Sequence, residues 1–103
     1  MAHLGPASGG YATRAVCDVE RLHVIPEGAS DAAAVTMIGA GRTTMAILDR
    51  ARITADDVVV VTAAAGGIGS LLVQAAHNAG ATVVAAVGGP VKVAHCGHPR
   101  PRR

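Results

Sequence analysis

The sequence has almost no aromatic side chains. Its 103 residues include no phenylalanine, no tryptophan and one tyrosine, Tyr11. Half of the residues are apolar, so a core is possible, but Ala, Val, Ile and Leu must fill it. Alanine removes little area from water, at a gain of about 25 cal/mol per Å². Marginal stability is therefore expected of the chain standing alone. Charge of either sign is also scarce. The net charge is +2, and three of the nine basic side chains lie in the terminal "HPRPRR". Without that tail the chain is near neutral, which argues against a nucleic-acid partner. The two cysteines, Cys17 and Cys96, have neither metal-site spacing nor the pattern of a disulfide framework. No apolar run approaches the ~18 residues that span a membrane. Residues 1–10 lack the basic start and apolar block of a signal peptide and read as loop. A cytoplasmic setting without a membrane partner is the expectation.

What the chain does have is "VVVVTAAAGGIGS", Val58 to Ser70. A continuous apolar run at Val58–Val61 marks a strand buried on both faces, as in a parallel sheet. Small residues follow, and then a helix is expected over Gly67–Ala79. Its apolar stripe is Ile68, Leu72, Ala75, Ala76 and Ala79; Ser70, Gln74, His77 and Asn78 lie on the polar one. Gly80 stands where a helix end favours positive φ. "ATVVAAV", Ala81–Val87, reads as a second buried strand. Strand, turn, helix and strand together have the length of a parallel crossover. The fold class expected is α/β.

Upstream, Tyr11–Val19 and Leu22–Ile25 are β-compatible, and Pro26 and Gly28 end the second run. Ser30 is placed to cap a helix from Asp31. The helical region 31–50 is expected to break at Gly39–Gly41 and then carry Met45, Ile47 and Leu48 on an apolar side. "TADD", Thr54–Asp57, reads as a turn. After Gly88–Pro90 a helix has room to start at Val91, but Gly97, Pro99 and Pro101 forbid its continuation.

The small residues after Val61 have a chemical reading. A strand turning directly into a helix leaves the first helical amides unpaired, and the helix dipole adds positive potential there. This suits a phosphate. Against the pattern G-x-G-x-x-G, the corresponding positions are Ala64, Gly66 and Gly69: Gly66 for close approach of a diphosphate, Gly69 for close helix–strand packing. No Asp or Glu occurs between Ala81 and Ala94 to hold a ribose 2′-hydroxyl, and Lys92 follows instead. A cation there favours the 2′-phosphate of NADP over NAD. Other groups carry less. His95, Cys96 and His98 cluster without zinc spacing or a fourth partner, so no metal site is assigned. Cys17 reads as packing, His77 as solvent-facing, and Tyr11 as packing rather than as a proton donor.

"GGYATRAV", "RLHVIPEGASDAAAV", "GRTTMAIL" and "ADDVVVVTAAAGGIGSLLVQAAHNAGATVVAAVGGPVK" occur in an order that resembles the medium-chain dehydrogenase/reductase superfamily. The nearest branch is the zinc-independent quinone oxidoreductases (zeta-crystallin-like). The resemblance covers about residues 8–94. It implies a partial Rossmann unit preceded by a short β segment and bridging helices from a GroES-like domain. In that scheme 1–30 is a remnant of the GroES-like catalytic domain and 31–57 a helical bridge. Residues 58–94 open the NADP-binding Rossmann domain, and 95–103 form a basic tail foreign to the family. Ala64, Ala65, Gly66, Gly67, Ile68 and Gly69 would form the diphosphate loop. Gly88 and Lys92 would lie along the cofactor, with Lys92 at the 2′-phosphate, and Thr43 would lie near the nicotinamide. Arg42 and Thr44 flank Thr43 where the family has apolar and small residues.

The implied activity is hydride transfer from NADPH to a small quinone or enone, in a family that is often homodimeric. The chain itself is expected to be an inactive fragment, with no catalytic residue assigned, because most of the first domain and the later Rossmann strands have no counterpart. A truncated or frame-shifted reading would produce such an ending. The alternatives are a non-catalytic dinucleotide-binding or structural fragment and a small module recruiting a partner through the apolar helix stripe. The same stretch is also similar to the T-G-x-x-x-G-I-G of short-chain dehydrogenases, with Ala63 at the first glycine, but no Tyr-x-x-x-Lys pair follows. If Lys92 selects the phosphate, Lys92→Glu weakens NADP⁺ binding far more than NAD⁺ binding in calorimetry. Equal losses for both cofactors would remove that assignment.

Overall fold

In the computed structural model, which describes residues 11–96, regular structure begins well into the chain. The chain divides into two units, Met1–Gly39 and Ala40–Arg103. In the first, residues 11–25 form no strand. They contain a 3₁₀ turn at Val19–Arg21 and a lone bridge residue, Leu22. This corrects the two extended runs expected there. β-compatible side chains do not make a strand unless a neighbouring strand takes up the backbone N–H and C=O groups. Among the described residues none does so here. Tyr11 is fully exposed rather than packed, and Val16 and Val24 are exposed as well.

Helix α1, Asp31–Thr36, starts where expected. Ser30 is extended, and its hydroxyl accepts the Ala33 N–H at 3.2 Å. That satisfies one of the orphan amides of the first turn, beside the favourable charge of Asp31. The expected break at Gly39–Gly41 takes a different form: Met37–Gly41 winds as a π-helical turn. Glycine is a poor helix former, and here it widens the helical winding instead of ending it.

In the second unit, α2 runs Arg42–Ala51 and is closed by Arg52 at φ +49°, whose N–H bonds the Leu48 carbonyl at 3.0 Å. Its inward positions are Gly41, Thr44 and Leu48; Met45 and Ile47 are exposed. The Thr54–Asp57 turn is present. Asp57 Oδ2 accepts from the Thr54 amide at 2.7 Å and from the Thr54 hydroxyl at 3.0 Å, while the Asp57 amide bonds the Thr54 carbonyl at 3.2 Å.

Strand β1, Val58–Thr62, and strand β2, Thr82–Ala86, pair in parallel with Val58 opposite Thr82 and Thr62 opposite Ala86. Helix α3, Gly67–Asn78, connects them. A final helix, α4, spans Pro90–Cys96. The structure is thus a small α/β arrangement on a two-stranded parallel sheet. Side chains alternate across the sheet. Val59, Val61, Val83 and Ala85 share the face on which α3 packs; Val58, Val60 and Val84 lie on the other and are exposed. The expectation of strands buried on both faces is therefore corrected. The valine run is apolar enough for two covered faces, but among the described residues α3 covers one and the valines of the other stay exposed.

Gly80 has φ +89°. The Gly80 amide bonds the His77 carbonyl at 3.0 Å and the Ala81 amide bonds that of Ala76 at 3.1 Å. This is the Schellman pair, which needs a residue free of Cβ penalty at positive φ. Gly69 and Ala76 are the buried positions of α3; of the expected stripe Leu72 and Ala75 are half-buried and Ala76 buried, whereas Ile68 and Ala79 are exposed. The reason is steric. A Cβ at Gly69 would collide with the Ala63 carbonyl oxygen and lie 2.8 Å from Ala64 Cα. The helix turns this glycine toward the strand end, and the stripe follows. Ala76 and Ala64, 0% and 1% exposed, fill the resulting narrow seam.

Gly69→Ala is therefore expected to cost about 1–3 kcal/mol by overpacking, read as a lowered urea midpoint with unchanged slope, while Gln74→Ala leaves the midpoint in place. The hydrogen bonds from the Thr54 amide and then its hydroxyl hold the Asp57 carboxyl below the usual aspartate value. A depressed folded-state value means stability present above the unfolded value and lost as pH falls through the folded one. The stability margin of the parent chain over Asp57→Asn should accordingly shrink on acidification below the usual aspartate range, in melts taken across that range.

Candidate functional site

The site is the turn between β1 and α3. Ala63 holds φ +50°, a left-handed conformation that costs a residue with a Cβ about 1–2 kcal/mol. That conformation reverses the chain after Thr62 and lets the Ala63 carbonyl accept the Gly66 amide at 2.8 Å. The Ala64 amide bonds the Ala86 carbonyl at 3.1 Å. Ala64 thus prolongs the sheet by one step, and its buried methyl is a wall of the seam.

Gly66 precedes α3 with φ −81° and ψ 171° and offers no capping side chain. The first intrahelical bond runs from the Ser70 amide to the Gly66 carbonyl at 2.9 Å. The amides of Gly67, Ile68 and Gly69 stand ahead of it with no acceptor among the described residues. Gly66 and Gly67 are exposed, so two glycines front three unpaired donors on a helix of 12 residues. The helix dipole adds its positive end there. The arrangement suits an anion with several acceptor oxygens. A Cβ at Gly67 would have Ala40 Cβ as neighbour at 3.8 Å, and one at Gly66 the Ala63 carbonyl oxygen at 3.2 Å.

The remaining candidate positions lie on the elements that flank this turn. Gly88 follows β2 at the same sheet end, since Ala86 is opposite Thr62. It is exposed, and a Cβ there would meet nothing within 4 Å. Gly89 bends the chain at φ +114°. Lys92 is exposed on α4. Thr43 is exposed on α2, whereas its neighbour Thr44 is 4% exposed and donates its hydroxyl to the Ala40 carbonyl at 2.8 Å. Sequence reading passed over Thr44 and the π turn before it. The available signal was a threonine four residues after Ala40 in a glycine-flanked helix start, where a hydroxyl bonds back to the i−4 carbonyl.

Elsewhere there is little chemistry. An apolar hollow in the first unit, lined by Ile25, Pro26, Ala33 and Met37 among others, carries no titratable side chain. Among the described residues no three His, Cys, Asp or Glu could hold a metal ion; His98 lies outside them. Cys17 and Cys96 are free and half-buried, and His77 is exposed. No helix among the described residues is long and apolar enough to cross a membrane.

No protein-family model matches the chain. It is 37% identical over 82 residues to a mycocerosic acid synthase-like polyketide synthase of Mycobacterium tuberculosis, covering 79% of the chain and 4% of that protein. It is 41% identical over 86 residues to erythronolide synthase EryA2 of Saccharopolyspora erythraea, covering 82% of the chain and 2% of that protein. Phthioceranic/hydroxyphthioceranic acid synthase of Mycobacterium bovis is 33% identical over 91 residues, covering 85% of the chain and 4% of that protein. The chain thus spans a few hundredths of the length of the curated relatives it matches.

These relatives overturn the assignment to the quinone oxidoreductases and, with it, the quinone reductase-like and alcohol dehydrogenase-like activity inferred from it. Nor do they support the alternatives, a non-catalytic fragment or a short-chain dehydrogenase-like chain. The misassignment has a physical cause. A valine strand, a turn of small residues and a close-packed helix answer a local steric demand, and proteins of unrelated activity meet that demand in the same way.

Proposed function

We propose that the chain is a segment of a polyketide synthase and that its β1–α3 turn holds the diphosphate of a dinucleotide cofactor, NADP(H). The observation that carries this reading is the row of unpaired amides at Gly67, Ile68 and Gly69 behind the exposed Gly66 and Gly67. The residues fit the group: three amides at the head of α3 have no acceptor among the described residues, and Gly66 and Gly67, which are exposed, carry no side chain. Resemblance to polyketide synthase segments over most of the chain supports the setting. In this reading β1–α3–β2 opens a Rossmann sheet within residues 58–94, and the preceding helices over 31–57 bridge to it. The two free thiols agree with a cytoplasmic setting.

The chain's own part is binding and orientation. The three amides donate to the diphosphate oxygens, and the α3 dipole stabilises their charge. Ala64 and Ala65 shape the cradle rather than donate, since Ala64 spends its amide on Ala86, and the missing side chain of Gly69 keeps α3 close. Gly88 leaves room along the ribose, Lys92 pairs with the 2′-phosphate, and Thr43 lies on the nicotinamide side. When bound, the cofactor supplies hydride.

The test is Gly66→Asp. Aspartate is a strong helix cap, differing from glycine there by only a few tenths of a kcal/mol, so its carboxylate would take up the free amides and repel a diphosphate. The melting temperature should stay close to the parent's, while NADPH binding, followed by nucleotide fluorescence, is lost. Binding that survives Gly66→Asp unchanged, or a parent chain that binds no NADPH, would refute the cradle.

A further inference from the structure

The π turn Met37–Gly41 ends directly before α2, and its Ala40 is the residue nearest to where a side chain on Gly67 would project, at 3.8 Å. Gly67 is the first residue of α3. α2 packs on α3, so the start of one helix lies beside the start of the other. The approach is between small groups: a methyl added at Gly67 would just meet the Ala40 methyl. Such a close approach holds its geometry only if the backbone on each side is fixed. On the α2 side one side chain does this. The Thr44 hydroxyl donates to the Ala40 carbonyl at 2.8 Å. Thr44 is also the sole buried polar side chain among the described residues. A buried hydroxyl finds a partner or costs free energy, so the bond has a reason to persist. π turns are uncommon and often occur at functional sites.

We infer that Thr44 is a positioning residue: by tying the Ala40 carbonyl within the π turn, it keeps Ala40 against Gly67 and so fixes where α3 begins. Its consequence for cofactor affinity rests on the dinucleotide reading above; its consequence for α3 does not. Thr44 touches neither the turn's donors nor a ligand. It acts through Ala40.

The experiment compares the full parent chain with Thr44→Val, which keeps the shape and removes the hydroxyl, and Thr44→Ser, which keeps the hydroxyl. The first readout is amide hydrogen exchange at Ser70, whose bond to the Gly66 carbonyl closes the first turn of α3. It is taken relative to Ala64, whose amide is bonded to Ala86 in the sheet. Losing one hydrogen bond of ordinary strength predicts exchange at Ser70 about fivefold faster relative to Ala64 in Thr44→Val, with Thr44→Ser near the parent. The second readout is the NADP⁺ dissociation constant by calorimetry, expected to rise about fivefold in Thr44→Val and to be restored in Thr44→Ser. An unchanged Ser70-to-Ala64 ratio in Thr44→Val overturns the inference. So does equal acceleration at both amides, because the hydroxyl would then act on global stability alone. If the ratio responds while the parent binds no NADP⁺, the positioning role stands and the dinucleotide reading falls.

Discussion

The structure depends on the missing side chain at Gly69. With hydrogen in place of a Cβ, α3 approaches until its first turn rests on the Ala63 carbonyl and the Ala64 backbone. That approach sets the tightness of the turn, and the turn imposes a left-handed Ala63 and a buried Ala64. The same closeness leaves room between helix and sheet only for small groups. Val61, Ala64, Ala76 and Ala81 form the buried apolar set, with no large side chain fully enclosed among the described residues. A chain without Phe or Trp loses little by this, since it has no bulky side chain to place there. Its compactness comes from proximity of backbones rather than from volume of side chains. Dispersion contacts at close packing carry much of the cohesion in such a seam.

Legibility followed locality. β1, α3, Gly80 and β2 were readable from the sequence, because each is dictated by residues within a few positions of itself: four valines, a small-residue turn, a helical period and a helix-ending glycine. The Ser30 cap and the Thr54–Asp57 turn were readable for the same reason. What failed needed knowledge of a neighbour. Tyr11–Val19 has the composition of a strand but, among the described residues, no strand beside it. Val58, Val60 and Val84 have the composition of a covered face but, among the described residues, no cover. The stripe of α3 was right at Leu72, Ala75 and Ala76 and wrong in its first turn, because a glycine counts as nothing in an apolar tally, whereas Gly69 rather than Ile68 is the buried position there. The π turn was invisible because no local pattern separates a glycine pair that stops a helix from one that widens it.

The candidate site divides along the same line. The residues that make the turn are contiguous, and the structure brings Ala64–Gly69 together as one feature. Gly88 shares its sheet end through the strand register. Lys92, read from the missing carboxylate after β2, and Thr43, assigned through a family resemblance, occupy exposed helical positions. The resemblance itself pointed to quinone oxidoreductases, and the relatives found are polyketide synthases. Steric rules constrain a strand–helix junction strongly and the surrounding polypeptide hardly at all, so a motif can be read correctly as local geometry and still be attached to the wrong protein.

The two ends of α3 are secured in unlike ways. Its C-terminal end is gripped by the Schellman pair at Gly80 and Ala81, by Gly80 wedged on Ala55, and by the Thr82 amide bonded to the Asp57 carbonyl at 2.9 Å. Its glycine end is held by close packing of Gly69 on Ala63 and Ala64 and by the Gly66–Ala63 bond of the turn, with its leading amides engaged by nothing among the described residues. The C-terminal end is thus fixed by directional bonds and the glycine end by fit, so a single added methyl at Gly69 displaces the start of the helix while leaving every bond at its far end intact.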